Sequence, residues 1–112
     1  MKLIKKPFGT VPIEPVHGIE KGRRLYIKED EMKNFAAMTY GYLPSGGKYG
    51  WHVHKDINEV ALMIKGKGTL KDEDGEYEYN EGDFFIIPAN VEHEFENTSD
   101  SDNEFVFVRI KE

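Results

Sequence analysis

Short apolar segments, each closed by turn-forming residues, recur along the whole chain and are the feature that most constrains its fold. The predicted strands cover residues 24–28, 35–43, 59–64, 69–71, 77–79, 84–87, 93–97 and 105–110. Short strands divided by glycine, proline, asparagine and aspartate are typical of a β-sandwich or β-barrel. These strands do not alternate with long helical patterns, which excludes the parallel βαβ architectures. The sequence therefore predicts an all-β domain.

Two segments predict less regular structure. Residues 1–23 contain three of the five prolines and are predicted to form an extended N-terminal arm, ahead of a barrel domain at 24–112. The segment 28–35, KEDEMKNF, has acidic residues early and Lys33 late, as helices do, but it is short enough to be a single turn or a loop. A chain of 112 residues has the length of one domain.

Composition excludes several function classes. The chain has no cysteine, which excludes disulfides, thiolate metal sites and cysteine nucleophiles. Its formal net charge of −6 repels phosphate backbones and argues against a nucleic-acid partner. No segment approaches the roughly 20 apolar residues of a membrane span, and the apolar run at the N-terminus is too short for a signal peptide. We therefore expect a cytoplasmic protein without a membrane partner.

Three of the four histidines fall in compact arrangements with an acidic residue. His52 and His54 are two residues apart, so on an extended strand they point to the same side. Glu59 begins the next predicted strand, and His93 begins a later one. Three imidazoles and one carboxylate suit a divalent transition metal and leave up to two of six octahedral positions open. Zinc accepts the same ligands, usually at a lower coordination number. Each residue alone is more often a surface or packing side chain, so the hypothesis depends on their spacing.

The spacing of these residues resembles the two sequence motifs of the cupin superfamily. The first motif is matched at every fixed position by Gly46-x5-His52-x-His54-x4-Glu59-x6-Gly66. The second is matched at four of five positions by Gly82-x5-Pro88-x-Asn90-x2-His93-x3-Asn97. The departure is Asn90, where the family usually has glycine, and asparagine tolerates the left-handed backbone of such a turn. The gap of 15 residues between the motifs is similar to that of small, single-domain, conserved-barrel cupins.

The resemblance implies a single-domain cupin β-barrel, or jelly roll, with a metal inside one end. In cupins the matching motif positions hold the metal, which assigns His52, His54, Glu59 and His93 as its ligands here. The implied cofactor is one divalent transition metal. Manganese or iron is favoured, and nickel, copper, cobalt or zinc is the alternative.

The family includes dioxygenases, isomerases, epimerases, decarboxylases and binding domains, so the fold alone leaves the function open. The intact ligand set and an apolar pocket favour a metal-dependent enzyme of the dioxygenase or oxidoreductase type that acts on a small organic molecule. One alternative is a sugar or sugar-phosphate isomerase or epimerase, for which Arg109 is the strongest phosphate-binding candidate. The other is a non-catalytic cupin that binds a small-molecule ligand.

Alternation along the strands also predicts which side chains line the pocket. They are Met38, Tyr40, Ala61, Met63, Phe95 and Phe107. Residues 59–64 and 105–110 are apolar on both faces, which indicates that something covers the outside of the barrel. A second subunit would do so, which predicts a homodimer, and the alternative is that the arm covers its own barrel. His17, in the arm, is expected to be an exposed loop histidine.

Overall fold

The computed structural model describes residues 3–112, which form a short 3-10 helix at Phe8–Thr10 and ten β-strands. The strands are β1 (Ile13–Val16), β2 (Ile19–Ile27), β3 (Phe35–Leu43), β4 (Lys48–His52), β5 (Ile57–Lys65), β6 (Gly68–Asp72), β7 (Gly75–Tyr79), β8 (Phe84–Ile87), β9 (His93–Asn97) and β10 (Asn103–Lys111). Within residues 3–112, no helix is long and apolar enough to cross a membrane.

The strands build two antiparallel sheets. The six-stranded sheet has the order β1-β2-β3-β10-β5-β8, and the four-stranded sheet has the order β4-β9-β6-β7. Side chains from both sheets form one buried apolar cluster, which includes Tyr49, Phe95 and Leu70 from the smaller sheet and Phe105 and Met63 from the larger. This two-sheet jelly roll is the all-β architecture that the sequence predicted.

Most strands lie where the sequence predicted them. β3, β8 and β9 have the predicted bounds, and β5, β6, β7 and β10 are two or three residues longer than predicted. β2 begins five residues before the predicted strand and ends one residue before the predicted end. The segment 28–35 forms turns, because Asp30 and Asn34 both have a φ of 64°, in the left-handed region that interrupts a helix. Of the two alternatives for this segment, a single helical turn or a loop, the structure therefore shows a loop made of turns.

The N-terminal segment differs from the predicted arm, because residues 13–23 belong to the six-stranded sheet. β1 and β2 form a hairpin whose two turn residues, His17 and Gly18, have φ of 50° and 77°, as a type I′ turn requires. Pro15 is tolerated because β1 is the edge strand of its sheet. Of the predicted arm, residues 3–12 precede β1 and include the 3-10 helix at Phe8–Thr10, and residues 1–2 lie outside the described residues.

β3 presents to the interior the opposite face from the one that the sequence predicted. Its buried residues are Thr39, Gly41 and Leu43. Met38 and Tyr40, which were predicted to line the pocket, lie on the outer face instead. The Tyr40 hydroxyl donates to Glu104 (2.9 Å), and the Phe8 ring packs edge-on against the Tyr40 ring with centroids 5.0 Å apart. The N-terminal segment covers this outer face, which is why apolar residues can lie there.

Candidate metal centre

Three histidines from the ends of two neighbouring strands meet in one cluster. His52 is the last residue of β4, His54 lies two residues beyond it, and His93 is the first residue of β9. His52 and His93 are cross-strand partners, and their ring centroids are 4.3 Å apart. One nitrogen atom from each of the three rings lies within 4.8 Å of the others, close enough to hold a metal ion. The structure thus brings together the three predicted histidines.

A bulge in β4 turns His52 toward the interior. Tyr49 pairs with Phe95 and His52 pairs with His93, so three residue steps of β4 lie opposite two steps of β9. The extra residue shifts the alternation of side chains by one. Tyr49 and His52, which strict alternation would place on opposite faces, therefore line the same pocket.

The loop that carries His54 is held by the turn that precedes His93. The backbone N–H of Asn90 donates to the carbonyl of His54 (3.1 Å), and its side-chain oxygen accepts from the N–H of Asp56 (3.0 Å). Asn90 has a φ of 70°, in the left-handed region, at the motif position that is usually glycine. Asparagine therefore preserves the turn and adds a side-chain acceptor that fastens the His54 loop.

We expect Asn90→Ala to lower the free energy of unfolding by about 2 to 3 kcal/mol, because alanine is strained in left-handed backbone and removes the acceptor for Asp56. Asn90→Gly removes the acceptor without the strain, so its loss should be about 1 kcal/mol smaller. Urea denaturation of the metal-free variants measures both values. Equal losses in the two variants would contradict the role given to the backbone.

Backbone carbonyls orient two of the imidazoles. His52 Nδ1 lies 2.6 Å from the carbonyl oxygen of Gly50, and His93 Nδ1 lies 2.8 Å from that of Val91. Because a carbonyl oxygen only accepts, each Nδ1 carries the proton and donates, and each Nε2 keeps its lone pair. This is the arrangement typical of histidines that bind a metal through Nε2.

Glu59, on β5, lies beside the histidines and is 1% exposed. Its Oε2 accepts from Nε of Arg109, its cross-strand partner on β10, at 2.5 Å. Its Oε1 is 3.6 Å from Nε2 of His93, and its Oε2 is 3.5 Å from Nε2 of His54. Two ligand atoms that each lie about 2.1 Å from one ion are about 3 to 3.5 Å apart, so these distances fit a shared ion. Glu59 thus lies close enough to the histidines to serve as a fourth ligand, and Arg109 holds its carboxylate.

Three atoms that face this cluster are buried and have no hydrogen-bond partner within residues 3–112. They are Nε2 of His54, Nε2 of His93 and Oε1 of Glu59. Buried polar atoms are nearly always paired, so three such atoms together indicate a partner from outside the chain. A single cation would satisfy all three, and imidazole and carboxylate are ligands that transition metals accept. The residues therefore fit the metal that the motifs imply.

The protonation states of the cluster also suit metal binding. Burial lowers the pKa of His54 to about 4 and is the main cause of the lowered pKa of His52. Burial alone would raise the pKa of Glu59, but the neighbouring His93 and Arg109 outweigh it and hold that pKa below its usual value. At neutral pH the two imidazoles are therefore neutral and the carboxylate is ionised, which are the forms that bind a metal.

A pocket lies beside Glu59 and His52, between the metal cluster and the N-terminal hairpin. Of the residues predicted to line it, Phe95 and Phe107 do so. Ala61 and Met63 lie in the buried apolar core instead. The alternation along β5 correctly predicted that these side chains point inward, but the interior at their position is filled by packed side chains.

Several pocket residues were not predicted as such from the sequence. They are His17, Arg23, Thr39 and Tyr49. The ring of His17 lies 4.6 Å from that of His52, so His17 belongs to the mouth of the pocket although it was expected to be an isolated loop residue. Arg23 is held by an ion pair with Glu14 across the hairpin (2.8 Å). The His17-Gly18 dipeptide, a pattern typical of a positive-φ turn, was the sequence signal that could have revealed this hairpin.

Comparison with known proteins identifies the family. The cupin domain model matches residues 39–109, which is more than half of the chain. The chain belongs to the cupin family. The oxalate-binding protein of Thermotoga maritima is 31% identical to this cupin over 102 residues, which are 91% of this chain and 78% of that protein.

Solved structures share the fold of this cupin. The crystal structure of a predicted oxalate decarboxylase from Thermotoga maritima superposes with a TM-score of 0.87 at 21% identity, over 97% of this chain and 100% of that chain. A sugar phosphate isomerase of the cupin superfamily from Silicibacter pomeroyi superposes with a TM-score of 0.74 at 21% identity, over 97% of this chain and 76% of that chain. At these identities the likeness concerns the fold alone, and it confirms the predicted cupin β-barrel.

Proposed function

We propose that this cupin binds one divalent transition metal through His52, His54, Glu59 and His93, and that the metal-loaded site binds a small carboxylate ligand. The observation that carries the proposal is the cluster of three histidines, together with the buried, unpaired Nε2 atoms of His54 and His93 and Oε1 of Glu59. Manganese or iron suits this mixture of nitrogen and oxygen ligands, and nickel, copper, cobalt and zinc accept the same donors. When bound, the metal supplies a Lewis acid for an anionic oxygen.

Two arginines line the pocket beside the site. Arg109 and Arg23 line it together with His17. The guanidinium of Arg109 donates to Glu59 through Nε, and a guanidinium carries further N–H donors besides Nε. Charged donors form their strongest hydrogen bonds with carboxylate or phosphate oxygens, so the pocket suits a small anion. The similarity to an oxalate-binding protein supports a carboxylate of the oxalate class.

A sugar phosphate is a weaker fit to this pocket. Lys65, at the end of β5, pairs with Glu104 at 3.8 Å, on the outer side of the sheet where Tyr40 also meets Glu104. The likeness to the sugar phosphate isomerase concerns the fold alone.

A metal-dependent enzyme of the dioxygenase or oxidoreductase type is the second candidate function. Phe95 and Phe107 in the pocket wall favour it, because they provide apolar surface for an organic substrate. Acid–base chemistry is less well supported, because among the described lining residues Glu59 is the only carboxylate, and Arg109 holds it. Oxygen uptake by the Fe(II)-loaded protein in the presence of small organic acids would support the enzyme over the binding protein.

Titration calorimetry of oxalate into manganese-loaded and metal-free protein tests the proposed function. We expect heat of binding from the loaded protein only. His93→Ala, treated with the same manganese, is the matched control and should bind no oxalate. Equal binding with and without manganese, or tighter binding of glucose 6-phosphate than of oxalate, would overturn the proposal.

We further propose that the protein is a homodimer. The N-terminal segment covers one half of the outer face of the six-stranded sheet, where the Phe8 ring stacks on Tyr26 with centroids 5.6 Å apart. On the other half, Phe84 and Ile86 of β8 are 63% and 68% exposed. Large, exposed apolar side chains that share one sheet face are typical of a surface that associates with another protein. The chain thus covers part of its own barrel, and a second copy would cover the rest.

Light scattering should therefore give about twice the 12.9 kDa of one chain. Ile86→Lys should shift the mass to that of a monomer, because it places a charge in the apolar contact. Tyr77→Lys is the matched control, since Tyr77 is 47% exposed on β7 of the other sheet, and it should leave the dimer intact. A wild-type mass of 12.9 kDa at micromolar concentration would contradict the homodimer.

A further inference from the structure

Tyr49 carries a buried hydroxyl with no hydrogen-bond partner among the described residues. The residue lies on β4 and is 3% exposed. Tyr79, a comparably buried tyrosine on β7, donates its hydroxyl hydrogen to Oδ1 of Asn103 at 2.8 Å. Because nearly all buried polar atoms are paired, the unpaired Tyr49 hydroxyl indicates a partner outside the chain.

The neighbouring residues fix the position of this hydroxyl. The ring lies among three phenylalanines, with centroid distances of 6.3 Å to Phe95, 5.8 Å to Phe105 and 5.9 Å to Phe107. At Gly41 on β3, a Cβ atom would lie 2.8 Å from the hydroxyl oxygen, so glycine leaves the space that the hydroxyl occupies. Tyr49 lines the same pocket as Glu59 and His52.

The chemistry of this hydroxyl is that of a donor. Burial raises the pKa of Tyr49, so the hydroxyl keeps its proton at neutral pH. Arg23 and Arg109 line the same pocket, and an arginine offers no acceptor atom. The hydroxyl and these two guanidinium groups are therefore donors, and an oxygen with free lone pairs is the ligand atom that satisfies them.

We propose that Tyr49 donates a hydrogen bond to a carboxylate oxygen of the bound ligand and so determines which small molecules the site accepts. The inference rests on the proposed function, because the ligand is the small carboxylate proposed above. A molecule of similar shape without an acceptor oxygen would leave the buried hydroxyl unpaired, and sites built in this way reject such molecules strongly. Tyr49 is thus a specificity-determining residue that touches the ligand.

Oxalate affinity of the manganese-loaded Tyr49→Phe protein tests the inference. We expect binding about tenfold weaker than wild type or more, as for the loss of one hydrogen bond to a charged group, with an unchanged manganese content. Tyr79→Phe is the matched control, because it removes a buried tyrosine hydroxyl that lies outside the pocket. It should keep the wild-type affinity for oxalate.

Thermal unfolding of the metal-free variants separates a ligand-binding role from a structural one. Tyr49→Phe should unfold at the wild-type temperature or above it, because the lost hydroxyl has no partner among the described residues. Tyr79→Phe should unfold at a lower temperature, because it leaves the side chain of Asn103 without its donor. A hydroxyl whose removal weakens ligand binding and leaves stability intact is one that serves the ligand.

The outcomes distinguish this inference from the proposed function. If wild type and Tyr49→Phe bind oxalate equally, the inference is overturned and the proposed function stands. If manganese-loaded wild type binds no oxalate, both are overturned. If Tyr49→Phe unfolds well below wild type and loses manganese, Tyr49 has a structural role and the inference is overturned.

Discussion

Replacing His93 by alanine should abolish stoichiometric metal binding. His93 is 1% exposed, and its Nε2 has no hydrogen-bond partner among residues 3–112, so this atom is available to a metal. Loss of an outer-shell partner typically weakens metal binding by about 10- to 100-fold, and loss of a ligand itself should exceed that range. Elemental analysis after dialysis against manganese measures the result.

His17→Ala is the matched control for this prediction. The His17 ring lies 4.6 Å from that of His52, yet His17 lies outside the group of histidines that could hold a metal. We therefore expect His17→Ala to retain one metal ion per chain, and His52→Ala to lose it as His93→Ala does. Full retention in both His52→Ala and His93→Ala would contradict the assignment of the ligands.

The histidines of the cluster could be predicted because they fall in two short motifs of fixed spacing. Two histidines that lie two residues apart at a strand end point to the same side whichever strands pair beside them. The motif glycines Gly46, Gly66 and Gly82 have φ of 73°, 96° and 87°, which only a few residue types adopt readily. Asn90 belongs to those types, so its departure from glycine left the turn intact. Local spacing of this kind can be recognised without knowledge of the partner strands.

The orientation of β3 could not be predicted from its own sequence. Alternation shows that Met38 and Tyr40 share a face, but both faces of this strand carry apolar residues. Which face of β3 turns inward depends on what covers the other face, and here Phe8 of the N-terminal segment packs on Tyr40 of the outer face. That contact joins residues 32 positions apart in the chain, and local periodicity contains no information about it.

Much of the pocket escaped prediction for a related reason. Arg23 and His17 reach it because the N-terminal hairpin pairs with β3, and His52 shares it with Tyr49 because of the bulge between them in β4. A bulge shifts the face of every following side chain by one position, and the sequence of β4 does not indicate that a bulge is present. The metal ligands were therefore easier to recognise than the side chains that surround the ligand.

Binding of manganese should raise the unfolding temperature of the wild-type protein by roughly 10 to 20 °C at a metal concentration 100 times its dissociation constant. A ligand that binds only the folded state at this excess stabilises it by about 2.7 kcal/mol, and a small domain gains about 4 to 8 °C per kcal/mol. The structural reason is that metal-free protein buries His54, His93 and Glu59 atoms that have no hydrogen-bond partner among the described residues. Differential scanning calorimetry with and without manganese measures the shift.

A chelator should reverse the increase, and His93→Ala should show none. The second control matters because the chain carries 21 acidic residues against 15 basic ones, and surface carboxylates can also attract divalent cations. Magnesium at the same concentration reproduces that general attraction, but it prefers oxygen ligands and should give little stabilisation. An equal increase in wild type and His93→Ala, or an equal increase with magnesium and manganese, would place the bound metal away from the histidine cluster.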